Sequence, residues 1–168
     1  LNWIKSFLTN RKQRVVMGEA SSDWGLVSSG VPQGSVLGPI LFIIYINDLP
    51  EIIKSNCKLY ADDSKLIGKV NDGLDQNMLQ DDLIEVCKWC DNWKMALNFK
   101  KCKIMHFGPK IFDSNYHLLD DRNKNHPITE SLCERDLGLL VPVNMKWKEQ
   151  VTASTNKANR MLGLLRNS

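Results

Sequence analysis

The sequence predicts an α+β fold, an antiparallel sheet backed by helices at about residues 35–48 and 74–97. Three observations predict it. A loop rich in Gly and Pro (30–35) runs into an apolar segment, Val36 to Ile46. Two strand-like runs, 57–60 and 64–70, flank a short tip made of Ala61, Asp62 and Asp63. Leu79, Leu83, Val86, Cys90, Trp93 and Leu97 recur at alternating intervals of four and three, the stripe of one long amphipathic helix.

Taken in order, Trp3, Ile4, Phe7 and Leu8 mark the end of a helix before a turn at residues 10–12. Residues 13–17 read as a short strand, and residues 21–29 as a polar loop with one strand-like patch at Leu26 and Val27. Ser35 is placed to cap the apolar helix, with Pro39 near its first turn, where proline is tolerated. That helix is apolar on nearly every side and is expected to be buried, ending near Asp48-Leu49-Pro50. The runs at 57–60 and 64–70 form a hairpin. The 74–97 helix carries Cys90 and its tryptophan into the core. A strand at 103–107 stops at Gly108-Pro109, and residues 110–130 suggest a hairpin with a loose 120–127 loop. A strand at 137–141 precedes a basic amphipathic helix over 146–165.

The chain has 168 residues, 43% of them hydrophobic and 24% charged, which fits a globular domain and excludes collagen-like, coiled-coil and wholly disordered chains. Its longest apolar run is too short for a membrane span, which needs about 20 residues. No secretory leader is legible. The chain begins without Met, inside an apolar pattern, as expected of part of a longer reading frame. Five cysteines (57, 87, 90, 102 and 133) at irregular spacing are expected as reduced thiols inside a cell, nucleus or cytoplasm being left open. The Cys87-x-x-Cys90 pair has no second pair at zinc-site spacing, and packing is its simplest role.

The net charge of +3 is unevenly spread. Residues 48–85 hold nine acidic and four basic side chains, residues 88–110 six basic and one acidic, and residues 137–168 five basic and one acidic. Basic blocks around an acidic middle suit a polyanion held about a cation-binding centre, and equally suit solvated helix faces.

The candidate chemistry lies at the hairpin tip. Adjacent aspartates at a turn are ordinary by themselves. Carried on strands with apolar residues, they become hard oxygen ligands of the kind Mg²⁺ takes. Two metal ions beside a phosphate activate an attacking hydroxyl and stabilise the leaving oxygen. Such a site needs a further carboxylate, and neither Glu19 nor Asp23 ends an apolar strand. The loop Gly30-Val31-Pro32-Gln33-Gly34-Ser35 is neither a phosphate loop nor a dinucleotide fingerprint. Its glycines let a flat substrate approach the backbone closely.

The stretch Gly-Val-Pro-Gln-Gly-Ser-Val-Leu-Gly-Pro-Ile-Leu-Phe at 30–42, together with Tyr-Ala-Asp-Asp at 60–63, closely resembles reverse transcriptases, in particular those of jockey-like non-LTR retrotransposons. Leu97-Asn98-Phe99-Lys100-Lys101-Cys102 resembles the family's Leu-Asn-x-x-Lys-Cys segment. The segment 1–15 resembles the stretch ahead of the glycine loop. Asp136-Leu137-Gly138 resembles the strand before the thumb, near the primer grip, and Lys157 to Gly163 the opening thumb helix. The motifs stand in the family's order along nearly the whole chain. The resemblance implies a polymerase palm-type fold, with residues 1–141 as partial fingers and palm and 142–168 as the start of a helical thumb.

The resemblance also implies roles. Asp62 and Asp63 would be catalytic and would hold two Mg²⁺ ions, with Asp63 less directly bound. Ala61 would lie under the primer end, and Tyr60 would pack. Gln33 and Gly34 would lie beside the incoming nucleotide and templating base. Lys101 would neutralise or protonate the pyrophosphate leaving group, which suits an ammonium near a growing negative charge; a plain surface lysine is the competing reading. The implied partners are an RNA template, a DNA primer and deoxynucleoside triphosphates. The family's other catalytic aspartate stands on a strand upstream of the segment resembled by Leu1 to Leu8. This departure implies an RNA-directed DNA polymerase fragment that is inactive alone. The alternatives are a catalytically dead nucleic-acid-binding remnant, a poorly folding relic with an exposed sheet edge, and, furthest, a metal–sulfur module on Cys87 and Cys90.

Overall fold

The computed structural model describes residues 2–109 and 115–166. The first part of the segment expected as a hairpin at 110–130 therefore lies outside the described residues, as do the two ends of the chain. The chain divides into two compact units, one made of residues 1–51 and 57–66, the other of 52–56 and 67–168. Its elements mix helix and strand, as the α+β expectation requires, but the strands do not join into one sheet. Among the described residues they form six two-stranded ladders. The strands are two to five residues long.

In the first unit, α1 (Asn2–Leu8) stacks Trp3 on Phe7, one turn apart, at 5.7 Å. Both the amide and the hydroxyl of Thr9 donate to the Lys5 carbonyl, and Asn10 turns the chain with φ 54°. The single strand expected at 13–17 is instead two. β1 (Arg11–Gln13) pairs antiparallel with β4 (Gly25–Val27), and β2 (Val16–Met17) with β3 (Ala20–Ser21). The break has a local cause. The Val15 amide donates to the Ser22 hydroxyl, so a side chain takes the place of a ladder partner.

The apolar helix, α2, spans Leu37–Ile46. Ser35 does cap it: its Oγ accepts from the Gly38 amide at 3.0 Å and donates to the Pro32 carbonyl at 2.7 Å. The expected burial is corrected. Only Gly38 and Ile46 are buried, while Ile40, Ile43 and Ile44 are 49%, 58% and 67% exposed. A helix apolar all round needs partners on every side, and two-stranded ladders within this unit do not supply them. The helix is followed by a 3-10 turn, Leu49–Ile52. β5 (Asn56–Tyr60) and β6 (Asp63–Ile67) are ladder neighbours joined by two residues, Ala61 and Asp62. The tip is thus one residue shorter than expected. Tyr60, expected to pack, is 63% exposed.

In the second unit, α3 spans Gly73–Asn92. Asp72 starts it by accepting from the amides of Leu74 and Asp75, both at 2.9 Å. The expected end at residue 97 is corrected. Lys94 takes φ 57°, and the amides of Lys94 and Met95 fold back onto the carbonyls of Asp91 and Cys90, closing the helix with a left-handed cap. Leu97 lies past that cap. The buried face is Asp82, Val86, Cys87, Trp89 and Cys90. The core tryptophan is therefore Trp89, 5% exposed, rather than Trp93, 46% exposed.

That face packs on β8 (His117–Leu119), which pairs antiparallel with β9 (Asn125–Pro127). Gln80 exchanges two 3.0 Å hydrogen bonds with the His117 backbone, imitating a strand neighbour. Tyr116 and Leu118 complete the core. β7 is only Lys103–Ile104 and pairs parallel with β10 (Thr129–Glu130). β11 (Cys133–Asp136) and β12 (Leu139–Pro142) form a hairpin. Leu137 and Gly138, both at positive φ, make its turn, so the strand expected from 137 starts at 139. α4 (Lys148–Arg166) buries none of its described side chains.

Candidate active site

The glycine loop and the aspartate turn meet within the first unit. Val31, Pro32, Gln33, Gly34, Gly38, Pro39 and Phe42 line one side of a pocket of about 350 Å³, and Ala61 and Asp62 line the other. That volume is at the small end of ligand pockets, which run from about 300 to 1,000 Å³. Four of the residues singled out in the sequence, Gln33, Gly34, Ala61 and Asp62, thus share one pocket. Asp63 follows as the first residue of β6 and is exposed. Lys101 lies in the second unit, exposed, in a turn where its amide donates to the Asn98 carbonyl at 2.9 Å.

Local chemistry explains why the chain takes these shapes. Gly34 has φ 78°, a left-handed conformation that favours glycine. Gly38 is required for a different reason: a Cβ there would lie 2.9 Å from the Pro32 carbonyl and 3.0 Å from the Ser35 hydroxyl. Ala61 takes φ 50° at the turn. For a residue bearing a Cβ this conformation costs about 1–2 kcal/mol. Alanine keeps the side chain at its smallest beside Asp62. Strain of this kind concentrates at functional sites.

The sequence assigned no role to Val31, Pro32, Gly38, Pro39 or Phe42 of the pocket lining, nor to Arg11 beside it. Phe42 forms part of the wall, one of many apolar residues in its helix and indistinguishable from them by pattern. Arg11 grips the loop from outside the pocket, donating to the carbonyls of Ser29 and Gly30 at 2.8 and 2.6 Å. Its acceptors are main-chain atoms, which leave no mark in a sequence.

Residues 1–164 match the family described as reverse transcriptase (RNA-dependent DNA polymerase). The chain belongs to this family. It is 33% identical over 160 residues, 89% of its length, to the probable RNA-directed DNA polymerase from transposon X-element of Drosophila melanogaster, covering 17% of that protein. It is also 33% identical over 114 residues, 62% of its length, to the RNA-directed DNA polymerase from mobile element jockey of the same species, covering 12% of it. The chain spans less than a fifth of the length of these relatives. No solved structure matches it. The resemblance to jockey-like reverse transcriptases read from the motifs is borne out.

Reverse transcriptases depend on metal ions, and the donor set here can be tested for that chemistry. Asp62 and Asp63 offer carboxylate oxygens on adjacent residues, which suits Mg²⁺. Among the described residues no group of three or more His, Cys, Asp or Glu is placed to hold a metal. Cys87 and Cys90 belong to the core of the second unit. Burial pushes both thiols up, Cys90 to about 11, with Cys87 and Cys102 adding to the effect. Such buried neutral thiols suit packing. Among the described residues, no helix is long and apolar enough to cross a membrane.

Proposed function

We propose that the pocket binds a deoxynucleoside triphosphate with Mg²⁺, and that the parent protein uses it for RNA-templated DNA synthesis. The observation that carries this is the convergence of Gln33 and Gly34 with Ala61 and Asp62 on one pocket in a chain of the reverse transcriptase family. In this reading a primer 3′-hydroxyl attacks the α-phosphorus, a phosphodiester forms and pyrophosphate leaves. Asp62, supported by Asp63, would hold the two Mg²⁺ ions. When bound, the ions would lower the pKa of the attacking hydroxyl and neutralise charge on the phosphates.

The chain's own residues do the rest. Gly34 exposes backbone for close approach of the nucleotide, and Gln33 supplies an amide beside the base. Ala61 leaves room for the primer end. Lys101 lies in the other unit, and its role in charge compensation or proton donation at a departing pyrophosphate rests on the resemblance alone. Residues 1–141 would then be partial fingers and palm, and 142–168 the opening of the thumb.

With no group of three or more metal-ligating side chains among the described residues, the 168-residue chain is expected to bind the metal–nucleotide complex while extending primers at background. Titration calorimetry with Mg²⁺ and dATP checks the first part, and primer extension on an RNA template the second. Absence of Mg²⁺-dependent nucleotide binding would overturn the reading of the pocket.

The basic, exposed α4 favours a second reading, a nucleic-acid-binding segment without catalysis. Lys148, Lys157, Arg160 and Arg166 face a single acidic residue, Glu149, along that helix. This reading expects affinity for RNA–DNA duplex that falls steeply with salt.

A further inference from the structure

The glycine loop is held at both ends. Downstream, Ser35 is tied to the Pro32 carbonyl and to the first turn of α2. These contacts span three residues, so they form wherever the local sequence does. Upstream, the anchor comes from 18 and 19 residues away. One nitrogen of Arg11, Nη2, donates to both the Ser29 and Gly30 carbonyls, and Nε donates to the Leu8 carbonyl at 3.1 Å. A single guanidinium thus joins the C-terminal end of α1 to the start of the loop. Gly30 takes φ 72° at that point, where few residues resist reorientation. Gln33 and Gly34 lie between the two anchors. Without the Arg11 grip, the upstream side is held only as far as Val27, by the β1–β4 ladder, and residues 28–31 lose their own anchor.

We propose that Arg11 is a positioning residue: by gripping the Ser29 and Gly30 carbonyls it holds Gln33 and Gly34 in the wall of the pocket they share with Asp62 and so sets affinity for the metal–nucleotide complex. This rests on the reading of the pocket given above. Lysine is a poor replacement. Its ammonium is a point charge on a flexible stem, whereas the planar guanidinium reaches three carbonyls along fixed directions. Arg14 provides a control of equal charge. It stacks over Trp24, 4.8 Å from the ring centroid, beside the same strands.

The test is amide hydrogen exchange and Mg²⁺–dATP titration on the whole 168-residue chain, comparing wild type, Arg11→Lys and Arg14→Lys. Charge-assisted hydrogen bonds contribute enough that losing the grip raises local opening about tenfold or more. In the free protein, Arg11→Lys is expected to speed exchange by that factor at Ser35, the loop amide that is hydrogen-bonded, to the Pro32 carbonyl at 3.4 Å, leaving the β5–β6 hairpin and the second unit unchanged. Nucleotide affinity is expected to fall about tenfold, and Arg14→Lys to change neither quantity.

Weaker affinity with unchanged loop exchange would overturn the proposal, because Arg11 would then act by touching phosphate. Faster loop exchange with unchanged affinity would overturn it too. So would faster exchange throughout α1 and the hairpin, which would make Arg11 a general structural residue. If wild type itself binds no Mg²⁺–dATP, the pocket reading fails and this inference falls with it.

Discussion

The β5–β6 turn and the β8–β9 loop each present an aspartate at the end of a two-stranded ladder, and they use it in opposite ways. Asp120 spends its carboxylate on its own hairpin. One oxygen accepts from the amides of Arg122 and Lys124 at 3.0 and 2.8 Å, and the other meets His126 Nε2 at 2.9 Å. His126 in turn stacks on Phe99, 4.3 Å between ring centroids. These contacts, His126 first, hold the Asp120 carboxyl down to about 2. Asp62 sits in a turn of two residues, exposed and lining the pocket. Among the described residues no amide donates to its carboxylate. The difference teaches what to look for: an aspartate whose oxygens are taken by its own turn's amides is committed to the fold, and one whose oxygens they leave is open to a ligand.

The sharpest way to break this comparison is to exchange the two residues for amides. In the proposed reading, Asp62→Asn removes a carboxylate oxygen from the metal and the charge with it. Metal–phosphate stabilisation amounts to several kcal/mol, so Mg²⁺–dATP affinity is expected to fall on the order of a hundredfold. Because Asp62 is exposed, the melting temperature should stay nearly constant. Asp120→Asn should do the reverse, leaving nucleotide affinity intact and loosening its hairpin. Calorimetry and thermal melts on both variants decide it. Equal loss of affinity in the two would show that the aspartates are not doing different jobs.

A third aspartate extends the contrast into the core. Asp82 is 2% exposed on the buried face of α3, and its two oxygens accept from the amides of Lys54 and Ser55 at 2.9 and 2.7 Å. Asp82→Ala would leave both amides, each only partly buried, without their acceptor. At about 1–3 kcal/mol for each, the loss of stability should be about 3 kcal/mol, a fall in Tm of roughly 6–12 °C. Asp82→Asn keeps one acceptor and should lose about half as much. A denaturant titration that finds both variants as stable as wild type would remove Asp82 as a clamp.

These three aspartates also show how much was legible in the sequence. The Tyr-Ala-Asp-Asp turn and the glycine loop could be read because their residue types and order are themselves the signal. The long helices could be read from periodicity. Asp82 could not, since a charged residue beside an apolar stripe reads as solvent-facing until its backbone partners are known. Nor could the end of α3, which depends on Lys94 adopting a conformation usually left to glycine. The stripe continues past that residue to Leu97 while the helix does not. Burial of α2 was misjudged because hydrophobic character reports what a segment can bury, not whether a partner surface lies against it. Arg11 was hidden because main-chain acceptors carry no residue identity.

A smaller effect sharpens the comparison through pH. Asp120 has its carboxyl lowered in the folded chain from an ordinary value near 3.8 to about 2. A depressed carboxyl contributes stability above its unfolded value and loses it as pH falls through the folded one. Protection of the Arg122 and Lys124 amides should therefore be complete above about pH 4 and disappear as pH falls towards about 2. Asp120→Asn should abolish that step. Amide exchange across the acid range would show it, and a step that survived the substitution would place its cause elsewhere.

The smallest expected effect concerns the thiols, which divide between available and committed groups as the aspartates do. Cys87 and Cys90 are buried on α3, and Cys87 Sγ also accepts from the Leu119 amide at 3.3 Å. With Cys90 raised to about 11 from 9.0, the thiolate that reacts is scarcer by about a hundredfold at any pH well below both values. Iodoacetamide at pH 8 should label Cys133, which is only half-buried, well before Cys90. Nucleotide affinity should not change while it does so, because none of these thiols lines the pocket. Peptide mapping over time reads the order directly. Labelling of Cys90 as fast as Cys133 would mean that α3 opens on the timescale of the reaction, and the core built on Trp89 would have to be looser than its burial implies.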